Sequence, residues 1–433
     1  MSVWSTTAAV KPLRGTVYVV GDKSITHRAL ILGALAHGET TVSGYCLGED
    51  CLNTLRVVRT LGVQVEEVAD TNLKIFGKGL WGLTEPSTVL DCGNSGTGLR
   101  LLAGVLAGQD FFSVLTGDTS LRKRPMGRVA NPLRTMGASI AGRMAGEYAP
   151  LAITGQRLTG VDYLSPVASA QVKSAMLLAG LLAEGTTCVT EPIQSRDHSE
   201  RMLQYLGVDV KVEGTAVSVT GGGSFMGKPL SIPGDLSAAA FFLVAASIVP
   251  ESEVFLPNIG MNPARTGILE VLTDMGADIQ ITNLQVISGE PVADLVVKSA
   301  SLHGVEIGAA LVPKTIDEFP ILCVAAAAAT GETRITNAQE LRVKETDRIR
   351  AMAIELSKIG IPIEESQDGL HITGGLSFHG AECRSYGDHR VAMSLAVAGL
   401  IADSAIHIDD TDCIETSFPG FKDKLLDLLT NSH

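Results

Sequence analysis

Aromatic residues are scarce in this 433-residue chain: Phe, Trp and Tyr together make up 4% of it. A core without them has to be built from Ala, Gly, Leu and Val, whose small side chains let helices approach closely. Net positive charge is also missing. Asp and Glu number 47 against 34 Lys and Arg, giving a formal charge of −13. That balance argues against a nucleic-acid partner or a membrane surface, so a small anionic ligand would need a local basic site. No CxxC occurs among the seven scattered cysteines, although Cys46 and Cys51 lie close in sequence. Reduced thiols in a cytoplasmic protein are the expectation. No signal-peptide pattern is read at the start. Apolar runs such as 238–249 are too short to span a bilayer.

What the chain does have is a recurring junction. The stretch Gly21-Asp22-Lys23-Ser24-Ile25-Thr26-His27-Arg28 follows the extended run Thr16 to Val20 and leads into small apolar residues up to Ala36. A strand ends, a glycine turns the chain and a helix begins. Asp22 or Ser24 can cap that helix, and its first turn carries Lys23, His27 and Arg28. Exposed N–H groups, the helix dipole and two cations together favour an anion there. In isolation the stretch also fits an ordinary capped helix with solvated charges.

Similar polar starts precede apolar segments at Gly96 to Ala107, Ser169 to Ala183, Asp235 to Ser247, Asp317 to Ala329 and Asp388 to Ala402. A second signature, an apolar residue followed by glycine and Val, Ala or Ile, recurs at Gly62, Gly137, Gly207, Gly276 and Gly360. These glycines lie 75, 70, 69 and 84 residues apart. The chain thus reads as about six copies of an αβ unit of roughly 70 residues. The extended segment Lys228 to Pro233 is the natural boundary between copies three and four. A phosphate-binding P-loop at Gly222 to Lys228 is rejected, because Pro229 replaces the required Ser or Thr and a strand-like run follows.

Other stretches carry chemistry-bearing residues. Asp91 to Arg100 holds a glycine-rich turn, Asn94-Ser95-Gly96-Thr97, entering a helix. Arg124 precedes Pro125, which biases it to an extended conformation. Ser169-Ala170-Gln171 opens a helix that Ser169 can cap. Arg196-Asp197-His198 reads as a surface helix start. Asp317 reads as a cap, and Leu341 to Arg350 as the start of a helix running to Ile359, with Lys344 and Arg348 on one face.

Taken in order, Gly21 to Arg28, Gly93 to Thr97, Arg124-Pro125-Met126, Ser169 to Gln171, Arg342 to Arg348 and Gly387 to Arg390 resemble the 5-enolpyruvylshikimate-3-phosphate (EPSP) synthase family over essentially the whole chain. The resemblance implies an α/β (α+β) enolpyruvyl-transferase fold with six βαβαββ units, three per domain. One domain is expected over 20–229 and the other over 1–19 and 230–433, joined by two crossing segments. Helix starts of both domains are expected to point into a cleft. The implied reaction moves the enolpyruvyl group of phosphoenolpyruvate (PEP) to the 5-hydroxyl of shikimate 3-phosphate and releases phosphate. No cofactor or metal is implied, the chain is expected to be a cytoplasmic monomer, and glyphosate is the inhibitor the resemblance implies, with the degree of sensitivity left open.

The resemblance also assigns residues. Lys23 touches both substrates. Ser24, Arg28, Ser169, Ala170, Gln171, Arg196, Asp317 and Lys344 hold shikimate 3-phosphate. Asn94, Gly96, Thr97, Arg124, Gln171, Glu345, Arg348, His389 and Arg390 hold PEP. Asp317 accepts the 5-hydroxyl proton, and Glu345, assisted by Lys23, exchanges the proton at the PEP methylene. The branch with Ala170 and Thr416-Ser417-Phe418-Pro419 includes glyphosate-tolerant members, which carry alanine where this chain has Gly96. Two alternatives are weighed: a UDP-N-acetylglucosamine enolpyruvyl transferase, whose reactive cysteine is absent from loop 116–128, and a non-catalytic anion-binding repeat scaffold.

Overall fold

The computed structural model describes residues 2–430. The chain forms two compact units. One comprises Gly21–Ile232 with Val286–Glu290; the other comprises the residues up to Val20, Pro233–Gln285 and the chain from Pro291 on. The short segment Val286–Glu290, a hairpin turn, groups with the first unit although a boundary near 230 would place it in the second.

The first unit contains helices α1 (Lys23–Leu35), α2 (Glu49–Thr60), α3 (Gly96–Ala107), α4 (Gly127–Thr135), α5 (Ala170–Leu181) and α6 (His198–Leu206). The second contains α7 (Leu236–Ile248), α8 (Gly267–Asp274), α9 (Phe319–Ala328), α10 (Arg348–Lys358), α11 (His389–Ala398) and α12 (Phe421–Thr430). Helices α1, α3, α5, α7, α9 and α11 are buried over almost their whole surface. A helix that is apolar on all sides has to lie inside, and these form the centres of the two cores. The close packing expected of small residues is visible where α3 crosses α5. A Cβ added at Gly104 would stand 2.1 Å from the Ala175 carbonyl oxygen.

Four-stranded sheets cover these helices. In the first unit one sheet runs Leu230–Ser231, His37–Ser43, Asn72–Lys78, Gln64–Ala69, with a parallel first pair and antiparallel pairs thereafter. The same arrangement recurs with Leu90–Asp91, Phe112–Thr116, Tyr148–Thr154 and Ser139–Gly142, and again with Asp162–Leu164, Thr186–Thr190, Ala216–Thr220 and Val210–Glu213. In the second unit, Arg14–Thr16 runs parallel to Glu253–Gly260, so the N-terminal segment completes a sheet begun far along the chain. The five repeated glycines, Gly62, Gly137, Gly207, Gly276 and Gly360, all have φ between 83° and 98°. Each ends an outer helix in the left-handed region, which glycine enters without a Cβ penalty.

The cores differ in composition. The second unit gathers Trp4, Phe241, Phe242, Phe418 and Phe421 into one cluster with ring centroids 5.3–6.0 Å apart. The first unit's core is almost wholly aliphatic. Among the described residues, no helix is long and apolar enough to cross a membrane.

Candidate active site

In the first unit, the polar residues read from the sequence gather at the starts of α1, α3 and α5. Asp22 caps α1 by accepting the Ile25 amide at 2.9 Å. Lys23 Nζ lies 3.0 Å from Asp50 Oδ2, the first of several partners that sequence spacing does not reveal. Ser24 is half-buried beside it. Arg28, 3% exposed, donates to Ser199 Oγ and Ser174 Oγ at 2.7 Å each and to the Ser24 carbonyl at 2.9 Å. All three acceptors are neutral oxygens. Burial pulls the Arg28 pKa down to about 10, against the opposing pull of Glu200 and other acids.

His27 is fully buried between α1 and its neighbours. Its Nδ1 is 2.8 Å from Thr54 Oγ1 and its Nε2 is 3.2 Å from Ser95 Oγ. Burial, with Lys23 and Arg28 nearby, lowers its pKa to about 3. The ring is therefore neutral at ordinary pH, and it links the start of α1 to the cap of α3.

At α3, Ser95 caps by accepting the Gly98 amide at 3.0 Å. Arg124, held extended ahead of Pro125, donates to Asn94 Oδ1 at 2.5 Å and to the Asn94 carbonyl at 3.3 Å. Gly96 sits below both arginines of this corner; an added Cβ would lie 3.0 Å from Arg100 Nη1 and 3.5 Å from Arg124 Nη1. Gln171, in the first turn of α5, donates to Thr97 Oγ1 at 2.8 Å and accepts from Arg100 Nη1 at 2.5 Å. That side chain joins the α3 start to the α5 start. Ser169 caps α5 through the Val172 amide, and Ala170 is its first helical residue. Arg196 lies half-buried in the turn before α6, whose Asp197 makes no capping bond to the helix.

In the second unit the candidates gather around one arginine. Arg348, 1% exposed, donates to Asp388 Oδ2 and to Glu345 Oε2 at 2.8 Å each, and its Nη1 is 3.7 Å from Asp317 Oδ1. Burial alone would lower its pKa, but Asp388 and Glu345 outweigh burial and the net shift is upward. Asp388 also caps α11 through the Arg390 amide at 2.9 Å. Arg390 Nη1 in turn donates to the Asp317 carbonyl at 2.9 Å. His389 is buried, with Nδ1 3.4 Å from Thr416 Oγ1.

Two local readings need correction. Residues 341–359 are not one helix: a short 3-10 turn ends at Val343, and α10 starts only at Arg348. Asp347 caps α10 by accepting the Arg350 amide at 3.0 Å, while Arg342 holds its other oxygen at 2.7 Å. Lys344 is extended and precedes the helix, so it does not share a helical face with Arg348. Asp317 is not a cap either. Helix α9 begins at Phe319 without a side-chain cap, with Pro320 at its start. Asp317 is left half-buried beside Arg348 and Arg390.

Sequence reasoning missed Asp50, Arg100 and Asp388. A single arginine inside the otherwise apolar run of α3 was a signal for Arg100, but the partners of the other two are set only by the fold. Among the described residues, no group of three or more His, Cys, Asp or Glu is placed to hold a metal ion.

A family model described as EPSP synthase (3-phosphoshikimate 1-carboxyvinyltransferase) matches residues 7–425. A protein of that enzyme name from Geotalea uraniireducens is 56% identical over 96% of this chain and 97% of its own length. Its namesake from Geobacter sulfurreducens is 56% identical over 95% of this chain and 96% of its own length. The solved EPSP synthase of Acinetobacter baumannii superposes with a TM-score of 0.89 at 46% identity, covering 98% of both chains.

Proposed function

The chain belongs to the EPSP synthase family, and from that premise we propose that it transfers the enolpyruvyl group of PEP to the 5-hydroxyl of shikimate 3-phosphate and releases phosphate. The observation that carries the reading is the Gln171 bridge. Through Thr97 and Arg100 it holds together the helix start assigned to PEP and the one assigned to shikimate 3-phosphate. Each phosphate carries about −1.5 to −2 charges. Two such anions side by side need concentrated cations and N–H donors. Lys23, Arg28, Arg124 and the capped helix starts supply them.

In this reading Lys23 touches both substrates and opposes charge that develops during the reaction. Ser24, Arg28, Ser169, Gln171, Arg196, Asp317 and Lys344 hold shikimate 3-phosphate, with the Ala170 methyl beside it. Asn94, Gly96, Thr97, Arg124, Gln171, Glu345, Arg348 and Arg390 hold PEP, and His389 orients it. Asp317 takes the 5-hydroxyl proton as oxygen attacks the PEP carbon, and Glu345 delivers a proton to the methylene. The tetrahedral adduct then loses phosphate and a methyl proton, which Glu345 receives. Arg348 divides its charge among three carboxylates, so Glu345 is not half of an isolated ion pair. The same reading makes the chain a cytoplasmic monomer and places glyphosate at the PEP site.

A UDP-sugar acceptor fits less well. Cys92, the cysteine nearest in sequence to loop 116–128, is buried, and burial raises its thiol pKa, which suppresses the nucleophilic thiolate. Phosphate release measured with PEP and shikimate 3-phosphate, against PEP and UDP-N-acetylglucosamine, tests the proposal. Release is expected with the first pair only. Release with the UDP-sugar alone, or with neither, would overturn it.

A further inference from the structure

Beneath the start of α5 lies a carboxylate that the reaction above does not use. Glu191, 3% exposed, accepts the Ser169 amide through Oε1 at 2.7 Å. Its Oε2 accepts the Ser195 amide at 3.2 Å and the Ser195 hydroxyl at 2.7 Å. One side chain therefore fixes two separate segments: the cap of α5, with Ser169 and Gln171, and the turn that carries Arg196. Three donors arriving from two directions require an acceptor with two oxygens, which an ionised carboxylate provides and an amide does not.

An anion buried below a site for a phosphorylated acid would repel its ligand unless neutralised. Lys173, 1% exposed, lies 3.0 Å from Glu191 Oε2 and 2.7 Å from Glu200 Oε1, and also donates to the Ser195 carbonyl at 3.5 Å. Burial works against its charge, but Glu200 and Glu191 more than compensate and hold the ammonium protonated. Glu200 is also the strongest favourable charge acting on Arg28. The four buried groups, Arg28, Lys173, Glu191 and Glu200, sum to zero formal charge.

We infer that Glu191, neutralised by Lys173, is a positioning residue that sets Ser169 and Arg196 at the spacing shikimate 3-phosphate requires. The inference rests on the proposal that those two residues hold this substrate. It makes the buried pair act mainly on affinity for shikimate 3-phosphate, with a smaller effect on PEP through Gln171 on the same helix start.

The test compares Glu191→Gln, Glu191→Ala, Lys173→Met and the double variant Lys173→Met/Glu191→Gln with Ser169→Ala and Arg196→Met. The readouts are kcat, the KM of each substrate and Tm. Glu191→Gln, nearly isosteric, keeps the fold if Glu191→Ala does not. It should raise the KM for shikimate 3-phosphate about tenfold to a hundredfold and leave that for PEP within about threefold. Lys173→Met should raise the same KM, and the double variant should recover part of the loss because it no longer buries an uncompensated charge. A lower Tm with both KM values unchanged, or a parallel rise in both, would overturn the inference. If Ser169→Ala and Arg196→Met leave the KM for shikimate 3-phosphate unchanged, the site reading itself has failed and the inference falls with it.

Discussion

Arg28 and Arg348 are both buried arginines beneath helix starts, one in each unit, and their surroundings are opposite. Arg28 donates only to two serine hydroxyls and a carbonyl, and its pKa falls to about 10. Arg348 is surrounded by Asp388, Glu345 and Asp317, and its pKa rises. No carboxylate bonds Arg28 directly, so its donors are held by neutral oxygens, while Glu200 acts on it only through space. Three carboxylates more than cancel the other cation, so the Arg348 cluster is formally anionic. On the function proposed above, the difference suits the first unit to orient cations toward bound anions and, in the second, sets the proposed proton carriers Asp317 and Glu345 beside Arg348, itself proposed to hold PEP.

The comparison can be broken most sharply at Lys23. Lys23→Met keeps the length of the side chain and removes its charge. Turnover should fall by about two to three orders of magnitude in a folded protein, read by phosphate release together with circular dichroism. Near-normal kcat would show that the cationic unit does not act on the reacting centre.

The next effect is on stability. Arg348→Met strands Asp388, buried, beside two further carboxylates, whereas Arg28→Met strands two hydroxyls and a carbonyl directly and Glu200 only through space. The Arg348 variant should lose about 3–5 kcal/mol of folding free energy in urea titration, and the Arg28 variant distinctly less. Equal losses would remove the contrast.

A smaller, pH-dependent effect belongs to His27. Its folded pKa of about 3 lies below the ordinary 6.5. The unfolded chain therefore binds a proton that the folded chain refuses. The contribution of this group is complete above pH 6.5 and is lost as pH falls toward 3, by about 1.4 kcal/mol per pH unit. His27→Gln should flatten the stability curve between pH 6 and 4 relative to the parent protein. Parallel curves would mean that His27 is protonated in the fold. The smallest effect is expected at Gly96. A methyl there meets Arg100 and Arg124 at 3.0–3.5 Å, and Gly96→Ala should weaken glyphosate inhibition about tenfold more than it raises the KM for PEP. Equal changes would show no discrimination.

Much of this organisation is legible in the amino-acid sequence alone. The repeated glycines announce the helix ends because a left-handed residue there favours glycine. Asp22 and Ser169 announce helix starts because capping is a local contact. Local rules fail where two signals compete. The charged run after Leu341 looks helical throughout, but Asp347 offers a stronger start six residues later, and Arg342 helps to hold it. Asp317 looks like a cap, but Pro320 sets where α9 begins. The partners that distinguish the two units, Asp50 on Lys23, Ser174 and Ser199 on Arg28, and Asp388 on Arg348, lie 27 to 171 residues away in sequence. Only the fold brings them together, so no spacing rule could find them.

The division between binding and proton transfer is tested most directly by calorimetry of shikimate 3-phosphate on Glu345→Gln and Asp317→Asn, with kcat measured on the same preparations. Both variants should turn over at least about a hundredfold more slowly. Glu345→Gln should bind shikimate 3-phosphate with a Kd within about threefold of the parent, and Asp317→Asn should still bind it measurably. A Kd that rises in proportion to the fall in kcat would show that the lost turnover is only lost binding and not lost proton transfer, and would contradict the account.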